Sequence, residues 1–187
     1  MIHRRNQHGL TLVELLVSLP LIGLISAAAA GAIIQTIRSH DINTGMMAVR
    51  QVQAAGGWIS RDGVQAQRIQ IADNVSSPNG FPVTLSWGQG YWDGETGRYH
   101  TECRDVIYFL EDSASGDRQV LRRREMVTGS RVSDGTCTVA YYVDGAATTC
   151  LRQPGERNAF VFTITVNVGG DIESRRYQVQ PRPGPLG

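Results

Sequence analysis

The side chain with the clearest chemical potential is the carboxylate of Glu14, because it adjoins a long apolar run. The 23 residues from Leu15 to Ile37 contain no charged side chain. A carboxylate near the centre of a membrane helix costs about 2.5–3.5 kcal/mol on insertion scales, so an acid in such a segment needs a partner. Glu14 therefore either pairs with a cation or lies close enough to the membrane surface to reach the headgroups.

Cysteines supply the second candidate chemistry. The chain has three, which allows one disulfide and leaves one thiol. If Asp144-Gly145 forms a two-residue hairpin turn, Cys137 and Cys150 become diagonal neighbours, and one bulge would bring their sulfurs together. We favour this disulfide over Cys103 with Cys137, provided that the segment lies outside the cytoplasm. The chain-entropy model gives it about 3 kcal/mol of stabilisation. Because the chain has no Cys-x-x-Cys, we expect no zinc site.

Charged clusters suggest two further kinds of site. The net charge is +1, which gives no overall nucleic-acid signature. All 18 basic Lys or Arg residues are arginines. Residues 122–124 and 175–176 are arginine runs that could contact DNA phosphates, but alternate strand residues face opposite ways, so we favour a solvated sheet face. Residues 93–97 and 111–117 are acidic and could bind calcium, but they lack EF-hand spacing and are equally typical of hairpin turns.

No nucleophile, base and orienting group occur in a recognisable arrangement, so we expect neither enzymatic activity nor a cofactor. Trp87, Tyr91 and Trp92 lie in a Gly-rich segment that is predicted to be a loop. They form either an adhesive surface or the core of that loop.

The uncharged run is long enough to cross a membrane. At about 1.5 Å per residue, a helix of this length reaches about 34 Å, against a hydrocarbon core of about 30 Å. The first eight residues carry two arginines, two histidines and no acid. The positive-inside rule therefore places the N-terminus in the cytoplasm and everything after Arg38 outside it.

Residues 9–16, Gly-Leu-Thr-Leu-Val-Glu-Leu-Leu, follow a short basic leader and resemble the processing site of type IV pilins and type II secretion pseudopilins. The resemblance implies that a prepilin peptidase cleaves between Gly9 and Leu10 and methylates the new amine of Leu10. It also implies that Glu14 neutralises the N-terminal amine of a neighbouring subunit in a filament. A buried carboxylate is tolerable when an ammonium pairs with it. Leu10 stands where most major pilins have Phe.

The span is also suited to helix packing. Gly23, Ala27 and Gly31 recur every four residues and would let neighbouring backbones approach closely. Pro20 removes one backbone hydrogen bond and is expected to kink the helix. We assign residues 10–37 to a transmembrane and filament-core helix, and the amphipathic pattern continues that helix over residues 38–72.

The remainder predicts β-structure. Six β-branched or aromatic runs indicate a mostly antiparallel sheet of four to six strands, namely Phe81–Trp87, Asp105–Leu110, Gln119–Met126, Cys137–Val143, Phe160–Val168 and Ile172–Val179. The predicted fold is α+β and pilin-like, a long N-terminal helix packed on a β-rich head at residues 73–180. Residues 1–9 are the cleaved leader and residues 181–187 a Pro-rich tail.

We therefore expect a minor pilin or pseudopilin, a structural subunit that helps to prime a type IV pilus-like or type II secretion filament. The head is similar to those of PilW-type minor pilins and J-type minor pseudopilins, through Trp58 to Asp62 and a hairpin of the form Val-x-Tyr followed by Leu-Arg. Implied partners are other subunits, the prepilin peptidase and the assembly platform of the cytoplasmic membrane. The expected location is that membrane, crossed once, and then a periplasmic or surface filament. The alternatives are an unprocessed, membrane-anchored binding domain and a pilin specialised for DNA uptake.

Overall fold

The computed structural model describes residues 11–72, 79–113, 116, 118–128, 133–156 and 159–182. In this part of the chain one helix precedes eight strands, which confirms the predicted α+β, pilin-like arrangement. The elements are α1 (Leu12–Gln65), β1 (Arg68–Ile71), β2 (Val83–Asp93), β3 (Arg98–Asp112), β4 (Gln119–Thr128), β5 (Ser133–Val143), β6 (Thr149–Arg152), β7 (Phe160–Val168) and β8 (Asp171–Val179).

The chain divides into two compact units between Asn43 and Thr44. The described part of the first unit consists of α1 up to Asn43, and none of its residues is buried. Among the described residues, α1 is the one helix long and apolar enough to cross a membrane. It runs through Pro20 without interruption, as the surrounding leucines and alanines, which are strong helix formers, favour.

In the second unit, one face of α1 packs on the sheet. Its buried residues Ala48, Val52, Ala55 and Ile59 are spaced by three or four positions, the period of a helix face. The predicted helical continuation to residue 72 is wrong, because α1 ends at Gln65. Ile69 and Ile71 alternate with polar residues at the two-residue period of a strand, and they form β1 instead.

Tyr177 accounts for one of two adjacent glycines in α1, Gly56 and Gly57. The ring of Tyr177 lies against α1 at Gly56, where an added Cβ would be 1.9 Å from the ring carbon Cζ. The hydroxyl of Tyr177 donates a hydrogen bond to the carbonyl of Val52 at 3.1 Å. Gly56 therefore admits the ring, while a Cβ at Gly57 would meet nothing within 4 Å.

The sheet is antiparallel, with the order β1-β2-β3-β4-β5-β7-β6, and β8 pairs with the remaining edge of β7. It has more strands than the predicted four to six because β1 and β6, of four residues each, are too short to stand out in the sequence. The predicted strand Phe160–Val168 matches β7. The predicted loop around Tyr91 and Trp92 is instead part of β2, which pairs with β3 as far as Asp93 and Arg98.

The predicted hairpin around Asp144-Gly145 is wrong. β5 and β6 pair with the same edge of β7, through Val143 with Val166 and Thr149 with Thr163, so the chain keeps its direction. The Asp144 carboxylate accepts the N–H groups of residues 146 and 147, both at 3.1 Å. These hydrogen bonds stabilise the turn that connects β5 to β6.

This topology removes the basis of the predicted disulfide. Cys137 pairs in register with Arg123 on β4, whereas Cys150 pairs with Phe162 on β7. Cys137 and Cys150 therefore do not face each other across one hairpin. All three cysteines, including the exposed Cys103, carry free thiols. The predicted pairing is thus absent, because the chain reversal that would have aligned the two thiols does not occur.

Candidate functional site

The described chain begins with a capping box at the start of α1. Thr11 is the N-cap residue, and its hydroxyl oxygen accepts the N–H of Glu14 at 3.3 Å. The Glu14 carboxylate reaches back, and its Oε2 accepts the backbone N–H of Thr11 at 2.9 Å and the Thr11 hydroxyl at 2.9 Å. This reciprocal pattern satisfies two of the backbone donors that a helix leaves free at its N-terminus. Glu14 was identified from the sequence, but the capping role of Thr11 was not, although Thr-x-x-Glu is a recognisable capping signal.

The capping box leaves half of the Glu14 carboxylate free. Both bonds from Thr11 end on Oε2, and Oε1 accepts no hydrogen bond from the described residues. A carboxylate in the first turn also interacts favourably with the positive end of the helix dipole. Glu14 is thus held at the helix start through Oε2, and within the described residues Oε1 has no donor.

The predicted cleavage and methylation positions, Gly9 and Leu10, lie outside the described residues. Thr11 is the next position along the chain, so any cut between Gly9 and Leu10 falls two residues before the helix begins. A new amine on Leu10 would therefore be separated from the N-cap residue by a single peptide bond.

The predicted packing stripe lies on the exposed part of α1. Gly23, Ala27 and Gly31 are all exposed, and a Cβ added at either glycine would meet nothing within 4 Å. Steps of four residues keep the three on one side of the helix. Their contact with neighbouring helices stays a prediction.

Large apolar side chains cover the rest of this segment. Leu12 is 79% exposed and Leu24 is 73% exposed, and the others from Val13 to Ile37 are at least half exposed. Exposed apolar area on this scale marks a surface that lipid or another protein covers. The first unit therefore presents an apolar surface that lipid or another protein can cover.

A buried polar cluster, which was not predicted from the sequence, joins α1 to the sheet. Asp62 is 3% exposed and accepts hydrogen bonds from the Tyr108 hydroxyl at 2.5 Å and from Nε of Arg123 at 2.7 Å. Arg123 also donates to Glu125 at 2.8 Å. Burial, followed by the charge of Asp62, raises the pKa of the Tyr108 hydroxyl, which therefore remains a donor. Asp62 follows Ile59 by three positions on the buried helix face, a spacing that could have identified it.

The arginine run at residues 122–124 is divided between the two faces of β4. Arg123 points toward the helix and is 8% exposed, whereas Arg122 and Arg124 lie on the opposite face. Arg122 pairs with Glu111 at 2.7 Å, and in β8 Arg175 pairs with Glu173 at 3.1 Å. The expectation that these runs form no simple patch is confirmed, but the solvated interpretation is wrong for Arg123.

The acidic segments that could have bound calcium differ in how much of them is described. Residues 94–97 form the turn between β2 and β3, and the carboxylate of Asp93, the last residue of β2, accepts the N–H of Glu95 at 3.0 Å. Part of the segment 111–117 lies outside the described residues. Where the structure describes the chain, no group of three or more His, Cys, Asp or Glu side chains is arranged to hold a metal ion.

Comparison with known protein families gives a match in the N-terminal segment. Residues 4–30 match the family model described as the prokaryotic N-terminal methylation motif. The matched segment includes Gly9, Leu10 and Glu14. The match supports a relation to the type IV pilins and pseudopilins, whose precursors a prepilin peptidase processes. No curated protein and no solved structure matches the chain significantly.

Proposed function

We propose that this chain is a minor pilin or pseudopilin that a prepilin peptidase processes and that then assembles through α1 into a type IV pilus-like or type II secretion filament. The observation that carries the proposal is the N-terminus of α1, where Glu14 caps the start of an exposed apolar helix through one carboxylate oxygen, Oε2. The methylation motif at residues 4–30 supports the processing step.

The capping box suggests how processing prepares assembly. In the precursor, Thr11 supplies donors to Oε2 of Glu14, which holds the carboxylate against its own helix start. Cleavage after Gly9 would create an ammonium group on Leu10. Oε1 of Glu14 in one subunit then accepts a hydrogen bond from the Leu10 ammonium of a neighbouring subunit. This ion pair removes most of the free-energy cost of an isolated charge in an apolar bundle.

The exposed stripe of small residues gives neighbouring helices a place to meet. Gly23, Ala27 and Gly31 carry at most a methyl group, so a second helix can approach its backbone closely there. The surrounding leucines and isoleucines exchange lipid for the apolar side chains of other subunits. The helix thus acts first as a membrane anchor and then as part of a filament core.

The proposed topology is a single crossing of the cytoplasmic membrane with the basic leader in the cytoplasm. The head, in the second unit, then lies outside and becomes part of a periplasmic or surface filament. Its proposed partners are other pilin or pseudopilin subunits, the prepilin peptidase and the assembly platform of that membrane. The finer assignment, a non-enzymatic subunit of the PilW or J type that primes assembly, rests on the resemblance of the head sequence.

Intact-mass analysis of the protein extracted from membranes tests the processing step. The expected mass lacks residues 1–9 and carries one added methyl group on Leu10. A strain without the prepilin peptidase is the control, and it should yield the full precursor. Recovery of an unprocessed Met1 terminus from the strain with an active peptidase would overturn the proposal.

A further inference from the structure

β2 and β3 extend beyond the core of the head over residues 88–103, as a two-stranded ribbon from Gln89 to Glu102. None of these residues is buried, although Trp87, immediately before them, is 9% exposed and packs in the core. The three aromatic residues that the sequence grouped together are therefore separated. Trp87 belongs to the core, Tyr91 faces one side of the ribbon and Trp92 faces the other.

Trp92 and Tyr99 form an exposed pair on one face of this ribbon, which we call the aromatic platform. They are register partners on β2 and β3, so their Cβ atoms lie about 4.5–5.5 Å apart. Trp92 is 64% exposed and Tyr99 is 69% exposed. The Tyr99 ring lies across Gly90, where a Cβ would stand 1.7 Å from the hydroxyl oxygen and 2.2 Å from Cζ. Glycine at position 90 thus leaves room for the Tyr99 ring over the strand.

The opposite face holds the ribbon in shape. There the rings of Tyr91 and His100 are stacked, with centroids 5.5 Å apart and planes inclined by 21°. In the turn, the Asp93 carboxylate accepts the Thr96 hydroxyl at 2.7 Å and the N–H of Glu95 at 3.0 Å. The Thr96 hydrogen bond, followed by that from Glu95, lowers the pKa of Asp93, so these contacts persist at neutral pH. A platform fixed in advance loses little conformational freedom when it binds a ligand.

The composition of the ribbon disfavours a protein partner. Residues 88–103 include no Ala, Val, Leu, Ile, Met, Phe or Pro, so the ribbon itself places no aliphatic side chain beside the two aromatic rings. Each ring can bury about 150–250 Å². A stable protein interface takes about 800 Å² from each partner and has a larger apolar centre.

We propose that the aromatic platform binds a β-1,4-linked glycan strand, whose flat sugar rings stack on Trp92 and Tyr99. A pyranose with equatorial substituents presents axial C–H groups to an aromatic ring and directs its hydroxyls outward. Thr101 lies on the same face and, with the Trp92 N–H and the Tyr99 hydroxyl, offers polar groups to those hydroxyls. This activity goes beyond the proposed function and does not depend on it.

Titration of the full-length chain with defined oligosaccharides tests the proposal. The protein is held in a detergent without a sugar headgroup, and binding is followed by saturation-transfer-difference nuclear magnetic resonance of the added cellotetraose or chitotetraose, a signal that remains available when Trp92 is replaced. We expect saturable binding with a Kd on the order of 1 mM. Maltotetraose, whose α-1,4 linkages coil the chain, should bind at least about tenfold more weakly.

Variants separate stacking from other effects. Trp92→Ala should weaken binding of cellotetraose and chitotetraose by about tenfold or more, and Tyr99→Phe should retain it within about twofold. Gly90→Val should also weaken binding, because its side chain displaces the Tyr99 ring. Tyr141→Ala removes a 52% exposed aromatic residue outside the ribbon and is the matched control, with no expected effect. Unfolding midpoints for all variants show whether the head stays folded.

Three results would overturn the proposal. The first is the absence of saturable binding of both β-1,4 tetraoses at about 50 mM. The second is undiminished affinity in a folded Trp92→Ala variant. The third is efficient capture of a second copy of this chain by a photo-cross-linker placed at position 92 in membranes, which would identify the platform as a subunit interface.

Discussion

Asp62→Ala should destabilise the head strongly, since it removes one partner of a buried ion pair. The Asp62 carboxylate is 3% exposed and accepts hydrogen bonds from Tyr108 and Arg123, which is itself 8% exposed. Removing one partner of such a pair costs about 3–5 kcal/mol, because the other charge stays buried. Glu125 still holds Arg123 at 2.8 Å, which reduces the loss, but the Tyr108 hydroxyl also loses its acceptor, at about 1–3 kcal/mol. We therefore expect a loss of about 3–5 kcal/mol.

The assay is urea unfolding of the full-length protein in detergent micelles, followed by the fluorescence of the tryptophans. Trp58 is well placed to report it, because its ring centroid lies 5.0 Å from Cζ of Arg123. The double variant Asp62→Leu with Arg123→Leu removes both charges and should recover much of the loss, since apolar replacement of a whole buried pair is often neutral. Glu173→Ala, which breaks the half-exposed pair with Arg175, is the matched control and should cost less than about 1 kcal/mol. A loss below about 1 kcal/mol for Asp62→Ala would refute the reasoning.

Three further outcomes follow from the packing and the chemistry of named residues. Gly56→Val should destabilise the head by about 3 kcal/mol or more in the same urea assay, because its side chain collides with Tyr177, whereas Gly57→Ala should be neutral or stabilising by up to about 1 kcal/mol; equal effects would contradict the account. A maleimide at pH 8 should label Cys103 quickly and leave Cys150 unlabelled until the protein unfolds, because burial raises the pKa of the Cys150 thiol to about 12; rapid labelling of Cys150 in the folded protein would refute this. Thr96→Val should raise the pKa of Asp93, since the hydroxyl that stabilises its charged form is lost. The stability that ionised Asp93 contributes disappears as the pH falls, and in the variant it should disappear at a higher pH than in the parent protein. An unchanged titration of the Asp93 carboxylate by nuclear magnetic resonance would count against this prediction.

Local patterns in the sequence were sufficient for the broad fold. The uncharged run identified the exposed half of α1, and the spacing of Val52, Ala55 and Ile59 identified its packed half. The end of the helix was missed because Ile69 fits both a three-to-four-residue and a two-residue period. In such a short segment, pairing with β2 decides the outcome.

Non-local pairing explains the larger errors. A turn signal such as Asp144-Gly145 is typical of a hairpin, but it does not determine whether the next strand pairs with the previous one. Here β7 offers a single edge to both β5 and β6, so the chain continues forward and Cys150 moves away from Cys137. The burial of Arg123 was equally invisible, because it depends on Asp62, which lies 61 residues earlier on another element.

Site residues whose role depends on their neighbours in the sequence were predictable, whereas those whose role depends on strand pairing were not. Glu14 was identified because an acid beside an uncharged run is costly whatever the fold. The aromatic platform was only half visible, since Trp92 was identified but Tyr99 becomes its neighbour through strand pairing.

The most direct test of the central claim is the fraction of Glu14→Ala protein that enters sheared filaments relative to the membrane fraction. The variant should insert and be cleaved, as intact mass will show, but filament incorporation should fall to background because the ammonium of the neighbouring subunit loses its partner. Ser18→Ala, which also loses an intrahelical hydrogen bond but no charge, should incorporate normally. Incorporation of Glu14→Ala at the level of the parent protein would contradict the account.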